Sequence, residues 1–280
     1  MPILSERDHA FFAENGYVIV PNAVPAENLQ AVIEAIWEFT GLNPRDPNDW
    51  YRAPLPFGGM IEMYQHQAMW NNRQYPRIHQ AFSELLGTEK LWVSLDRVNL
   101  KPPRHSDHPE YDHKGFIHWD CDSSKPSTAR RLQGVLYLTD TDTNMGGFQC
   151  VPALYRTFDE WVKTQPADRN VRQPNLDGLT IEPIAGKAGD LILWDVMLAH
   201  GNGHNVSDRP RFAQYITMSP AKPDSSEQRE SRIRQWRDHA PPKFGPFPGD
   251  PREIEEKYGK TAELTPLGRK LLGLDDWDSA

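Results

Sequence analysis

The sequence predicts a mainly β protein with flanking helices, built as a double-stranded β-helix, a cupin-like jelly roll of two facing sheets. Three observations predict it. Short β-rich segments near 91–100, 115–120, 132–139, 148–151, 179–184, 190–195 and 211–218 alternate with turns rich in Gly and Pro. Helical periodicity is concentrated on the flanks of this region. No internal repeat or low-complexity tract breaks the pattern. At 280 residues the chain is long for one core but within the range of a single β-rich domain. We expect one domain over 1–280, with N-terminal helices and an aromatic insertion (1–90), a jelly-roll core (91–219) and a C-terminal docking segment (220–280).

In chain order, residues 6–14 read as a short helix leading into a strand at 17–20. Residues 25–39 form the clearest helix, because Leu29, Val32, Ile33, Ile36 and Trp37 make one apolar face suited to the outside of a sheet. The stretch 42–75 is rich in Pro, Asn, Trp and Tyr without a clear period. It is either a lid over a binding site or aromatic packing beneath a loop. Further helices are expected at 78–86 and 156–165. Beyond Met218 the chain becomes polar and proline-rich, with helices expected at 226–238 and 266–272. Their apolar residues Ile233, Trp236, Leu267, Leu271 and Leu272 predict a tail that docks, on a sheet face or in a homodimer contact.

The chemistry-bearing residues lie inside the predicted β region. Histidine and acid two positions apart occur three times, as His105/Asp107, His108/Glu110 and His118/Asp120. With ten histidines and 39 acids, chance alone supplies such pairs, so context must choose. The first two sit in a proline-broken loop; only His118 follows a glycine and two apolar residues, as a strand entering a core would. In a strand, residues i and i+2 point to one face, so His118 and Asp120 can reach one metal while Trp119 turns the other way. A third ligand must come from a distant strand, and His200 follows the turn 186–190 and the apolar run Leu191 to Trp194. Two histidines and one carboxylate are the set that holds non-haem Fe(II) on one face and leaves the other open for co-substrate and oxygen. The glycines around Asn202 then break the chain before a β-rich segment at 209–218. A hairpin there would bring Arg211 near the metal, where a guanidinium can clamp a carboxylate.

The chain resembles the phytanoyl-CoA dioxygenase family of Fe(II)/2-oxoglutarate oxygenases over most of its length, from Phe11 to about Ser219. In that family the opening segment reads FxxNGYVVVPN, here Phe11 to Asn22, the ligand strand carries HxD, and the distal histidine opens an HGSxxNxSxxxR run, here His200 to Arg211. The resemblance implies that His118, Asp120 and His200 bind iron and that Arg211 binds the far carboxylate of 2-oxoglutarate. The family serine two residues past the distal histidine is Asn202 here, an amide that can still donate to that carboxylate. Asn99, in the segment before the HxD loop, is a candidate for a further co-substrate contact. The usual PGSH turn reads Pro152-Ala153-Leu154-Tyr155 here and has lost its glycine and histidine. The family's halogenating relatives lack the HxD acid, whereas Asp120 is present, so the resemblance implies hydroxylation or a related oxidation of a small organic molecule. Fe(II), 2-oxoglutarate and O2 are the implied cofactor and co-substrates.

Other residues are weaker candidates. His204 lies in the turn, Cys121 would face away from Asp120, His105, His108 and His113 flank an acidic loop, and Arg130 and Arg131 are candidates for contact with an anionic substrate. A net charge of −8 without a basic block argues against nucleic acid. Two cysteines too far apart for a CxxC pair argue against a disulfide scaffold or structural zinc. No apolar run suits a membrane span and the N-terminus lacks a signal-peptide core, so a cytoplasmic location is expected. Two rival classes remain open from the residues alone: a non-catalytic jelly-roll binding protein and a cupin-type metal-dependent hydrolase or isomerase.

Overall fold

The computed structural model describes residues 2–52, 57–112, 116–125, 129–242, 245 and 247–278. The chain opens with helix α1 (Glu6–Asn15), strand β1 (Tyr17–Val20) and helix α2 (Ala26–Thr40). Ser5 and Asp8 form a reciprocal capping box at the start of α1, and Gly16 ends it in the left-handed region at φ 76°. Strand β2 (Met60–Ile61) and helices α3 (Gln67–Arg73) and α4 (Pro76–Leu86) follow, then β3 (Leu91–Val93) and β4 (Val98–Lys101). The second half contains β5 (Leu132–Tyr137), β6 (Phe148–Cys150), α5 (Pro152–Arg156), α6 (Phe158–Lys163), β7 (Glu182–Pro183), β8 (Leu191–Asp195), β9 (His200–Asn202), β10 (Arg211–Tyr215) and β11 (Met218–Pro220). Helices α7 (Ser226–Arg237), α8 (Ile254–Tyr258) and α9 (Pro266–Leu272) complete it.

The main sheet has the order β1-β8-β5-β10-β4-β2, with antiparallel neighbours, and a three-stranded sheet β7-β6-β9 accompanies it. This is the expected jelly roll with flanking helices. Side-chain alternation divides the main sheet into two faces. Val18, Val20, Leu100, Leu136, Leu191 and Phe212 join the larger core, which also holds Val32, Ile36 and Phe82 of the helices. On the other face, Val135, Tyr137, Ile192, Trp194 and Ala213 meet Phe148 and Cys150 of β6 in a second core. The polar residues that matter below also lie on this inner face.

The tail docks as the apolar pattern predicts. Leu271 and Leu272 are fully buried, with Ile233, Trp236 and Leu267 packed against the same core. The Arg232 guanidinium donates to the carbonyls of Leu271 and Leu272, and Trp236 Nε1 to Ala262 O at 3.0 Å. The Glu255 carboxylate accepts the Tyr64 and Gln65 N–H groups at 2.6 and 2.7 Å. Most aromatics of 42–75, such as Trp50, Tyr64 and Trp70, are buried packing.

Several expectations need correction. The predicted 91–100 strand is two strands in different sheets, and 211–218 likewise splits into β10 and β11, which pairs with β3. The 179–184 segment keeps only the two residues of β7. The 115–120 segment is no regular strand over its described part, because His118 makes only an isolated bridge to His200. No hairpin joins β9 to β10, which lie in different sheets. In a jelly roll the chain crosses between facing sheets, so β8 returns to the main sheet, β9 pairs with β6 opposite, and β10 comes back between β5 and β4.

Candidate metal centre and cavity

His118, Asp120 and His200 come together although they do not share a strand. His118 and His200 exchange backbone hydrogen bonds of 2.8 and 2.9 Å, which sets their rings 4.8 Å apart. Gly201 allows this approach, since a Cβ there would meet Phe116 O at 2.2 Å. Potential ligand atoms of the three residues all lie within 4.8 Å of one another. Asp120 Oδ1 is 3.4 Å from His118 Nε2, and its Oδ2 is 3.6 Å from His200 Nε2.

Surrounding groups orient these donors. His200 Nδ1 lies 2.9 Å from Leu198 O. A carbonyl can only accept, so Nδ1 carries the proton and Nε2 presents its lone pair to the cluster. Gln133 Nε2 donates to Asp120 Oδ2 at 2.6 Å, and Trp194 Nε1 donates to Gln133 Oε1 at 3.1 Å. Burial would raise the Asp120 carboxyl, but the two neighbouring histidine rings and the Gln133 amide outweigh it and hold the group well below the usual carboxylate range. Asp120 is therefore an anion beside two imidazoles, a donor set suited to a divalent cation. The buried His118 Nδ1 has no hydrogen-bond partner among the described residues.

Arg211 lies on the inner face at the start of β10, directly opposite Lys101 of β4. The residue is 1% exposed. Nη2 donates to Gly146 O at 2.8 Å and to Asn202 Oδ1 at 3.4 Å, whereas Nε and Nη1 have no partner among the described residues. Buried guanidinium N–H groups without acceptors are costly unless an anion completes them. Arg211 thus fits a carboxylate, as the donor set fits a metal. Lys101 donates to Gly203 O, and burial, followed by the charge of Arg211, pushes its ammonium pKa well below the ordinary value.

The other expected co-substrate residues are nearby. Asn202 lies on β9, with Nδ2 donating to Tyr215 Oη at 3.3 Å. Asn99 is fully buried opposite Ala213, two residues along the ladder from Arg211 and on the same face; Nδ2 donates to Gly58 O at 2.9 Å, and Oδ1 has no partner among the described residues. A cavity of about 740 Å³ is lined by the triad together with Met60, Asp96, Arg97, Gln133, Arg172 and Phe247.

The weaker candidates go elsewhere. His204 pairs with Asp112 at 2.9 Å, and His105 and His108 pack on Tyr51. His113 lies outside the described residues. Trp119 is core, with Nε1 donating to Met197 O at 2.8 Å. Cys121 Sγ lies 3.5 Å from Val196 O. Arg130 and Arg131 border a separate hollow beside Asp195, and Arg130 is held by Leu85 O and the Phe12 ring. Sequence reasoning missed Lys101, Gln133, Arg172 and Phe247. Alternation along β4 carried the signal for Lys101, since it shares a face with Asn99.

The family model for phytanoyl-CoA dioxygenase (PhyH) matches residues 12–213, a span that contains the triad and Arg211. The chain belongs to the phytanoyl-CoA dioxygenase family. It is 25% identical over 247 residues to Ava biosynthesis cluster protein O of Aspergillus versicolor, covering 75% of this chain and 76% of that protein. It is 30% identical over 161 residues to the ectoine dioxygenase of Bordetella bronchiseptica, covering 51% of each. In three dimensions it is similar to the epimerase SnoN, solved with Fe3+, alpha ketoglutarate and nogalamycin RO. The TM-score is 0.54 at 19% identity, covering 77% of this chain and 83% of that one. The phytanoyl-CoA dioxygenase match ends before the tail that contributes Phe247 to the cavity.

Proposed function

We propose that the protein is an Fe(II)- and 2-oxoglutarate-dependent dioxygenase that hydroxylates or otherwise oxidises an unactivated C–H of a small organic molecule. The observation that carries this reading is the pairing of a His-Asp-His donor set with a buried, under-bonded guanidinium on the inner face of a jelly roll. When bound, iron, 2-oxoglutarate and O2 supply the oxidising power, as 2-oxoglutarate loses CO2 and becomes succinate. His118, Asp120 and His200 would hold the metal. Arg211 would take the far carboxylate through N–H donors that its contacts to Gly146 and Asn202 leave over, with Asn202 beside it. Gln133 fixes the Asp120 carboxylate, and the aromatic wall formed by Phe148 and Trp194 keeps water from this side of the site. Asp120 supplies the acid whose loss accompanies halogenation, which favours oxygen insertion or a related oxidation.

Anaerobic titration of the apo protein with Fe(II) and 2-oxoglutarate tests the reading through the weak visible band of the chelate. Wild type is expected to develop the band and His200→Ala to lack it. A folded wild-type protein without a band would refute the assignment and bring the binding-protein reading forward. Turnover indifferent to oxygen would point instead to a metal-dependent hydrolase or isomerase.

A further inference from the structure

Arg172 stands on the long connection between α6 and β7, and its backbone is fastened to the ligand-bearing segment. Trp119 N–H donates to Arg172 O at 2.8 Å, and Ser123 N–H to Val171 O at 3.1 Å. The Ser123 hydroxyl also donates to Val171 O at 2.6 Å and accepts from Arg169 Nη1 at 2.8 Å. These bonds hold the Arg172 main chain against the strip that carries Asp120. The residue lines the metal cavity while remaining exposed. Its guanidinium makes no hydrogen bond or ion pair among the described residues. Asp122, which feels its charge, accepts from Ser124 instead.

The other charges of the site have roles or partners. Asp120 belongs to the donor set. Arg97 pairs with Asp96 at 3.2 Å and lies 3.5 Å over the Phe247 ring. Arg211, at the start of β10, is assigned to the co-substrate in the reading above. Arg172 remains as a positioned cation at the mouth, on a protein whose net charge of −8 repels anions at long range. The lining of the cavity beside these charges is largely apolar and includes Met60, Phe116, Val135, Phe148, Trp194 and Phe247.

Resting on the oxygenase reading above, we propose that the substrate is a small molecule with an apolar body and one carboxylate, and that Arg172 receives this carboxylate at the cavity mouth. A guanidinium matches a carboxylate with two parallel N–H donors. The apolar body then extends along the aromatic wall towards the metal, so the group to be oxidised lies at the end away from the carboxylate.

The test uses the whole protein loaded anaerobically with Fe(II) and 2-oxoglutarate, and a library of small apolar carboxylic acids, each matched with its primary amide. Binding is read as perturbation of the chelate band, and succinate release is then measured in air. Acids are expected to bind about tenfold or more tightly than their amides, a preference that Arg172→Gln abolishes and Arg172→Lys partly restores. Equal binding of acids and amides, an absence of binding by any acid, or an unchanged preference in Arg172→Gln would each overturn the proposal. The band before any acid is added reports on the oxygenase reading by itself, so the two failures are distinguishable.

Discussion

Replacing Arg211 by methionine separates a ligand-binding cation from a structural one, because the two roles predict different results. In the protein alone the guanidinium makes two hydrogen bonds and, among the described residues, leaves Nε and Nη1 without a partner, in a residue that is 1% exposed. Methionine keeps most of the volume and leaves Gly146 O without its donor, a loss of about 1–3 kcal/mol. It also removes a buried, under-bonded charge and brings Lys101 relief from a neighbouring cation, gains on the order of a few kcal/mol. Unfolding free energy without ligand should therefore shift by less than about 2 kcal/mol in either direction. For 2-oxoglutarate the variant loses two charge-assisted hydrogen bonds at about 1.5–3 kcal/mol each, so affinity should fall at least about 100-fold. Urea unfolding gives the first quantity and anaerobic titration of the chelate band gives the second. A variant that unfolds easily yet binds 2-oxoglutarate within about threefold of wild type would refute the reasoning.

Further expectations follow from other contacts. Gly201→Ala places a Cβ against Phe116 O, forcing the ligand segment away from β9; Fe(II) binding should weaken about tenfold or more, measured by anaerobic titration, and unchanged binding would disprove the contact. Burial pushes the Glu255 carboxyl up to about 7 despite its backbone donors. The folded state therefore binds this proton more tightly than the unfolded chain, so the protonated carboxyl's contribution is complete below the unfolded value and is lost as pH rises through about 7. Between about pH 5 and 8 the wild type should lose up to about 3 kcal/mol more stability than Glu255→Gln, and parallel urea-unfolding profiles would contradict the assignment.

Local signals carried what proved legible. Strand β1 and helix α9 have the predicted bounds, the latter because Thr265 caps its start and Gly273 ends it at φ 94°. Where the sequence reading merged β10 with β11, residue type continues smoothly through Ile216 and Thr217, whereas between β3 and β4 the polar run Ser94, Asp96 and Arg97 was a signal passed over. The change of sheet is a long-range event that propensity does not register. The triad was visible as a motif, and its assembly depends on the close approach at Gly201. Gln133 is an unremarkable strand glutamine until register places it beside Trp194 and its side chain meets Asp120. Arg172 and Phe247 come from connections whose positions are set by distant partners, and no spacing rule reaches them.

The buried polar group on β4 and β10 and the exposed rim of the cavity differ in how they tolerate change. Arg211, Lys101 and Asn99 stand on neighbouring strands whose backbone ladder fixes their register, so a slip of one residue would turn every side chain on the slipped strand to the other face. The rim instead draws Phe116, Arg172 and Phe247 from separate connections outside the strands. Inherited variation can accumulate in those connections without disturbing the ladder beneath. Directed evolution of this scaffold towards a new molecule is accordingly best begun at Arg172, Gly245 and Phe247, with the strand pair β4 and β10 held constant.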